Sequence, residues 1–352
     1  MRHRSPARSI ALASVVGVPV ALAVAAVVPM AVLAHGADSL VPPAPVDVLL
    51  DWGFDPLIAI PLVLVAAAYL WAVHHVDAAH PGHPVPRART VAFLAGLAAI
   101  EIALQSIVER YDTTFFSDHM LQHVLLTLVA SPLLALGAPI TLLLRVTRPE
   151  PRRRFILPVL HSRILRVLAF PVVSWSLFAA VMWGTHFSPL FERSLEEPFI
   201  HDLEHLLFLS AGLLFWWPAI ALDPAPWRMP HPVRAMYLFL QMPQNTFLAL
   251  AIYSASAPLY AHYANLQLNW GPSALVDQRL AGGLMWIIGD LVFVSAIVLV
   301  IAGWMRFEER NTGRREAHAD AQLALIHARE VVLADRLAGE RAVAAGEEKP
   351  PK

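Results

Sequence analysis

Residues 119–144 read HMLQHVLLTLVASPLLALGAPITLLL, and this stretch decides the fold of the chain. It contains no Asp, Glu, Lys or Arg. Crossing about 30 Å of hydrocarbon takes roughly 20 apolar residues as a helix, because lipid cannot satisfy open backbone groups. The stretch therefore predicts a transmembrane helix whose first turns carry two histidines, His119 and His123.

Six further segments on both sides of this stretch have the same length and apolar character. The expected fold class is all-α, a polytopic membrane helix bundle of seven core spans. The other six predicted spans are residues 56–76, 90–108, 164–186, 199–222, 233–254 and 280–305.

The composition of the whole chain agrees with a membrane protein. Apolar residues make up 57% and charged residues only 15%, against roughly 25% charged in an ordinary soluble domain. The formal net charge of −1 gives no indication of a nucleic-acid partner. The absence of cysteine excludes disulfides, thiolate zinc sites and iron–sulfur ligation, which leaves His, Met and carboxylates as possible metal ligands.

The distribution of arginine predicts how the chain is oriented. Short cytoplasmic loops are enriched in Lys and Arg, and the arginines here fall in alternate loops and in the C-terminal tail. The opposite loops contain mainly acids and aromatics, so the ends of the spans that carry the histidine pairs are predicted to face outward and the C-terminus to be cytoplasmic. The loop arginines are Arg2, Arg4, Arg8, Arg87, Arg89, Arg145, Arg148, Arg152, Arg153, Arg154, Arg163, Arg166, Arg228 and Arg234.

Three regions are expected along the chain. Residues 1–34 have a basic start and an apolar run ending in Val32-Leu33-Ala34, which is typical of a signal peptide or of an uncleaved anchor helix. Residues 51–305 form the predicted seven-span membrane domain. Residues 306–352 are rich in Arg, Glu and Ala and predict a charged cytoplasmic tail that begins as a helix.

Histidines spaced four residues apart begin two of the predicted spans. His119 and His123 open the third span, and His201 and His205 open the fifth. This spacing puts two imidazoles on one helix face, about one turn apart, where both reach a single ion. The alternative is that these histidines are interfacial or packing side chains with their polar ends among the headgroups.

Sulfur ligands lie beside these pairs. Met182 and His186 end the fourth span at the same predicted depth, and Met120 follows His119. Imidazole suits zinc, copper, iron and nickel, whereas thioether suits Cu(I). Together with Met242, deeper in the sixth span, these methionines favour copper, although methionine is also ordinary apolar filler.

Other polar residues lie inside the spans or at their opposite ends. A set of five is interpreted as interhelical hydrogen-bonding groups that hold the bundle together, with a proton or ion path as the alternative. It consists of Glu101, Asp290, Gln241, Gln244 and Asn245. Four further histidines at the predicted cytoplasmic end of the first span and in its loop are interpreted as interfacial side chains, and these are His74, His75, His80 and His83.

Several blocks, taken in order, resemble the multi-span CtaG-type cytochrome c oxidase assembly factors associated with caa-type oxidases. The resemblance covers roughly residues 51–305. The blocks are His119-Met120-Leu121-Gln122-His123 running on to Ser131-Pro132-Leu133-Leu134-Ala135-Leu136-Gly137-Ala138-Pro139, His201-Asp202-Leu203-Glu204-His205 running on to Phe215-Trp216-Trp217-Pro218, Pro258-Leu259-Tyr260, and Asp277-Gln278-Arg279-Leu280-Ala281-Gly282-Gly283-Leu284-Met285-Trp286.

The resemblance implies a non-enzymatic factor in the bacterial plasma membrane that helps copper to reach the oxidase. Its implied partners are oxidase subunits, other copper chaperones and the lipid bilayer. It also implies that the four paired histidines are the ligands, with Glu204 and Asp118 as ligands or as hydrogen-bond partners of ligands. Because a metallochaperone must release its ion, we expect an outward-opening, incompletely enclosed site.

Two other functions are compatible with the same histidines. His201-x-x-Glu204-His205 matches the inverted HxxEH motif of zinc proteases, in which the glutamate is the general base. Histidines from two spans are also able to provide the axial ligands of a b-type haem, which would make the protein an electron-transfer subunit. The expected cofactor is therefore copper, with zinc and haem as alternatives.

Overall fold

The structure is a computed structural model that describes residue 42 and residues 52–266 and 268–344, and every regular element in this part is helical. The all-α prediction is therefore confirmed for the described residues. The elements are α1 Pro56–Ala79, α2 Arg87–Gln105, α3 Ile107–Tyr111, α4 Phe116–Val124, π1 Leu125–Ala130, α5 Ser131–Leu136, α6 Pro139–Val146, α7 Pro149–Pro151, π2 Arg152–Ile156, α8 Leu157–Leu160, α9 Arg163–Leu168, α10 Pro171–His186, α11 Pro189–Glu196, α12 Pro198–Ile220, α13 His231–Tyr253, α14 Ala261–Asn265 and α15 Ala274–Ala344.

Several of these helices are long and apolar enough to cross a membrane. Among the described residues, helix α10 has 16 residues, fewer than the roughly 20 that a bilayer requires. The membrane character is confirmed, while the count of seven spans stays a prediction. The predicted signal peptide or anchor at 1–34 lies outside the described residues. The candidate spans within them are Pro56–Ala79, Arg87–Tyr111, Phe116–Val146, Pro198–Ile220 and Ala274–Arg341.

Two of the predicted spans are interrupted by proline. Residues 164–186 divide into α9 and α10, because Pro171 has no N–H to donate and Phe170 before it is extended. Residues 119–144 divide at Ala138, whose φ of 49° is left-handed and precedes Pro139.

The described chain falls into two compact units, the first ending at Ile297 and the second beginning at Val298. The first unit contains the histidines discussed below. The second is the C-terminal part of α15, an exposed helix on which Arg336 and Glu340 form an i,i+4 pair at 3.9 Å. The predicted tail is thus helical as far as Ala344.

An apolar core joins α1 and α2 to the segment that follows α4. Tyr69 of α1 stacks on Phe93 of α2 with ring centroids 3.9 Å apart, and its hydroxyl donates to the carbonyl of Gly137 at 2.8 Å. Apolar side chains such as Val63 and Leu64 remain exposed on the opposite side of α1, as a helix in contact with lipid requires.

The helix that begins with α4 and carries His119 widens in its middle. In π1, the Thr127 hydroxyl donates to the carbonyl of His123 at 2.6 Å, and the Trp216 indole donates to the carbonyl of Thr127 at 2.9 Å. Pro132 follows directly and has no N–H for the regular helical pattern. Side chains therefore satisfy carbonyls that a regular α-helix would pair through its backbone.

Carboxylates from distant parts of the chain cap both halves of this helix. Asp277 accepts hydrogen bonds from the backbone N–H groups of Phe116 and Ser117, and Asp223 accepts from those of Ile140 and Thr141. Helix N-termini leave such donors open. The Asp277 contact therefore holds the start of α4, and with it the first histidine pair, beside α15.

Candidate metal site

The two histidine pairs lie together between α4 and α12. The rings of His119 and His201 stack with centroids 5.2 Å apart and 7° between their planes. Within each helix the paired rings are 4.3 Å apart, His119 from His123 and His201 from His205. The four residues are buried. The i,i+4 spacing thus turns all four imidazoles toward one place, and we call this group the histidine cluster.

A carboxylate from α12 reaches across to the histidines of α4. Glu204 Oε2 lies 3.6 Å from Nε2 of His119 and 3.9 Å from Nε2 of His123. One ligand atom from each of these three residues lies within 4.8 Å of the other two. This is the spacing of side chains that surround a single ion.

Two acidic residues that follow the predicted second span also reach the histidine cluster. Asp112 Oδ2 lies 3.3 Å from Nε2 of His201, and Glu109 accepts a hydrogen bond from Gln122, whose Oε1 lies 2.8 Å from Nε2 of His205. Burial, followed by the charge of Glu109, raises the pKa of the Asp112 carboxyl well above its usual range. Both acids follow the break in the helix at Ser106, and their i,i+3 spacing was the available signal.

The polar atoms of the histidine cluster are incompletely satisfied. Both ring nitrogens of His119 and of His123, and both carboxylate oxygens of Glu204, are buried without a hydrogen-bond partner in the described part of the chain. Their ion-pair contacts with one another are longer than hydrogen bonds. A buried polar group without a partner costs roughly 1–3 kcal/mol, and the Nε2 atoms of both histidines lie beside Oε2 of Glu204, which fits a site that binds a cation.

Aromatic side chains close the cluster, contrary to the open site expected from sequence. Phe191 of α11 is fully buried, and its ring centroid lies 4.7 Å from that of His119. Tyr260 stacks on Phe191 at 4.1 Å and donates its hydroxyl to the carbonyl of His186 at 2.9 Å. His119 has no solvent exposure. An ion that enters or leaves this site requires movement of these rings, which the sequence did not indicate.

Met120, Met182 and His186 lie beside the cluster, around a separate cavity. The cavity has a volume of ≈ 20 Å³, and its lining includes these three residues, His123 and Met285. His123 therefore belongs to both places. The third methionine is Met285 of α15, and not Met242, which is the one that the sequence analysis considered.

The polar residues deeper in the helices have partners of their own. Glu101 accepts a hydrogen bond from Gln105 at 2.8 Å, and Gln105 Oε1 accepts from the backbone N–H of Asp55 at 2.7 Å. Asp290 accepts from the Thr246 hydroxyl at 3.1 Å, joining α13 to α15. The Asp290 contact thus joins two helices, whereas the Glu101 contact lies within α2, and the role of these groups stays a prediction.

The three polar residues of α13 form hydrogen bonds of two kinds, one within the helix and one to α15. Gln241 donates to Gln244 on the same helix. Asn245 donates to the carbonyl of Met285 at 3.2 Å and lines the cavity described above. Of the five intramembrane polar residues, Asn245 is thus the one that the structure places at the lining of this cavity.

The chain was compared with models of known protein families. The family described as cytochrome c oxidase caa3 assembly factor matches residues 67–307. The chain belongs to this family. The matched range contains the histidine cluster and the residues of the adjoining cavity, so the resemblance seen in the sequence is confirmed.

Relatives of this family member are found in mycobacteria. Uncharacterized proteins of Mycobacterium bovis and Mycobacterium tuberculosis are each 34% identical to it over 290 residues, and one of Mycobacterium leprae is 31% identical over 291 residues. The alignments cover 80% of this chain but 44% of each relative. The chain thus spans less than half the length of these curated relatives. No solved structure matches it.

Proposed function

We propose that this protein binds a copper ion at the histidine cluster and, without catalysing a reaction itself, helps to mature a caa3-type cytochrome c oxidase. The family indicates a role in oxidase assembly. The observation that supports metal binding is the set of buried ring nitrogens of His119 and His123 facing the carboxylate of Glu204. A bound cation would interact with these buried polar atoms, which lack hydrogen-bond partners in the described part of the chain.

The ligand types support copper, with zinc as the alternative. Imidazole nitrogen and carboxylate oxygen bind both ions, and copper(II) binds a given nitrogen and oxygen site more tightly than zinc does. The thioethers of Met120 and Met182 adjoin the cluster, and thioether is a ligand for Cu(I) rather than for zinc. This neighbourhood favours copper as the cargo.

The spacing of the rings favours a bare ion over haem. Axial histidines of a haem stand on opposite faces of a porphyrin, which needs open space between them. Here His119 and His201 stack directly at 5.2 Å, and Phe208 stacks on His123 at 3.8 Å. A porphyrin between these rings would require the helices to separate.

The position of Glu204 favours metal binding over proteolysis. In an HxxEH protease, the glutamate acts on water at a zinc held by the two histidines of the same motif. Glu204 instead lies next to His119 and His123 of the other helix. It is therefore placed as a member of the ligand set.

The remaining parts of the proposal concern topology and partners. We place the protein in the bacterial plasma membrane with seven core spans, the cluster outward, the C-terminus cytoplasmic and residues 1–34 as a signal peptide or anchor. Oxidase subunits and other copper chaperones are the proposed partners. The alternation of arginine between loops supports this orientation.

The decisive experiment compares two quadruple variants. Replacing His119, His123, His201 and His205 by Ala should abolish Cu(II) binding at the histidine cluster of the purified protein and lower caa3 oxidase activity in a strain that lacks its own copy, with the protein still in the membrane. The matched control replaces four exposed histidines, and these are His74, His75, His80 and His83. Normal oxidase activity with the first variant would refute the site, and a Soret band in the wild type would favour haem.

A further inference from the structure

A sulfur-rich cavity adjoins the histidine cluster and differs from it chemically. Its volume of ≈ 20 Å³ is on the order of one water molecule. Three helices each contribute a thioether to its wall, Met120 from α4, Met182 from α10 and Met285 from α15. Its described lining contains no carboxylate. The cavity is thus small, neutral and lined by soft ligands.

The hydrogen bonds of His186 determine which of its ring nitrogens carries the proton. Nδ1 lies 2.6 Å from the carbonyl oxygen of Met182, and a carbonyl can only accept. The Thr185 hydroxyl, 3.2 Å from the same nitrogen, donates to the carbonyl of Val181. Nδ1 therefore carries the hydrogen in the neutral ring, and Nε2 presents a lone pair.

That lone pair faces a thioether. Nε2 of His186 lies 3.3 Å from Sδ of Met120, and both residues are buried. Neither atom has a proton to donate to the other in this tautomer. Zinc sites have bonds of about 2.0 Å to imidazole nitrogen and about 2.3 Å to thiolate sulfur, and with bonds of similar length one ion would contact both atoms. The pair is spaced as two ligands of one ion.

We propose that this cavity is a second metal site, selective for Cu(I), in which His186 and Met120 are the primary ligands and Met182 and Met285 complete a thioether set. Soft sulfur ligands bind Cu(I), and a monovalent ion suits a lining without carboxylates better than a divalent ion does. The identity of the ion at this second site rests on the copper function proposed above.

His123 connects the two sites. It lines the cavity and also lies 3.9 Å from Glu204 in the histidine cluster, and its ring is 6.0 Å from that of His186. An ion that moves from the cavity to the cluster would exchange thioether ligands for imidazole and carboxylate while keeping His123. The two sites thus form a pair in which the carboxylate side favours Cu(II) and the sulfur side favours Cu(I).

The test uses the full-length protein in detergent, labelled with selenomethionine and loaded anaerobically with Cu(I) alone. X-ray absorption at the copper and selenium edges should show copper–selenium scattering in the wild-type sequence. The scattering should persist in the double variant H119A/H201A, which removes the histidine cluster but leaves the cavity. Bound copper that shows nitrogen and oxygen scattering alone would overturn the proposal.

A second measurement separates this inference from the proposed function. The triple variant M120L/M182L/M285L keeps side-chain volume nearly constant, so the fold should be retained. It should lose one equivalent of Cu(I) while retaining Zn(II) at the histidine cluster, and the control M242L should lose neither. Undiminished Cu(I) in the triple variant would contradict the second site. If H119A/H201A loses Zn(II) but keeps Cu(I), the second site is supported even when oxidase activity is unchanged.

Discussion

Glu204 Oε2 lies 3.6 Å from Nε2 of His119, across the interface between α12 and α4. This contact is the shortest recorded between the carboxylate and the α4 histidine pair. Removing the negative charge of Glu204 is therefore a direct test of its role in the cluster.

We predict that Glu204→Gln weakens metal binding by roughly 10- to 100-fold, the range seen when a group that supports a metal site is lost. The amide keeps the size of the side chain but removes the negative charge opposite the two imidazoles. Competition with a chromophoric chelator measures the affinity. Glu101→Gln is the control, because Glu101 contacts Gln105 on its own helix. Equal affinities of the two variants would argue against Glu204 as a ligand.

The closed state of the cluster predicts slow exchange of its metal. Phe191 packs on the His119 ring, and an aromatic pair contributes about 0.5–1.5 kcal/mol. Phe191→Leu should therefore speed removal of the metal by a chelator roughly two- to tenfold, with the amount bound at equilibrium unchanged.

Stopped-flow mixing with the chelator measures this rate. Phe93→Leu is the matched control, because Phe93 is also buried but stacks on Tyr69 in the core between α1 and α2. If both variants release metal as slowly as the wild type, the ring of Phe191 does not limit exchange.

A close approach of two helices predicts the effect of a single methyl group. A Cβ atom at Gly212 of α12 would lie 2.5 Å from Ser131 Oγ and 3.2 Å from Thr127 Cα. Gly212→Ala should therefore lower the free energy of unfolding by roughly 1–3 kcal/mol. Gly184→Ala has nothing within 4 Å of its new atom and should be neutral or stabilising by up to about 1 kcal/mol. Thermal unfolding in detergent distinguishes the two, and equal stability would mean that α12 and π1 are less closely packed than described.

The sequence was sufficient to predict the features that depend on local periodicity. Apolar length predicts helices that cross the membrane, and a spacing of four residues predicts that His119 and His123 share a face, as do His201 and His205. Both follow from the geometry of one helix. The contact between the two pairs does not, and it was inferred only because both begin at the same predicted depth.

Features that depend on breaks and on distant helices were not predicted. Asp112 reaches His201 from the turn that follows α3, and the prediction of residues 90–108 as one span gives no indication of that turn. Met285 joins the cavity from α15, more than a hundred residues after Met120 along the chain. Tertiary packing, which local pattern does not encode, determines both.

The carboxylate of Asp277 has a consequence for the order of biosynthesis. It accepts from the first N–H group of α4 although it lies 161 positions later in the chain. At a synthesis rate of 5–20 residues per second, the ribosome reaches Asp277 about 8–30 s after Phe116. Until then, the helix that carries His119 and His123 lacks its N-terminal acceptor. A nascent chain therefore holds α4 without this hydrogen-bond acceptor until residue 277 has been synthesised.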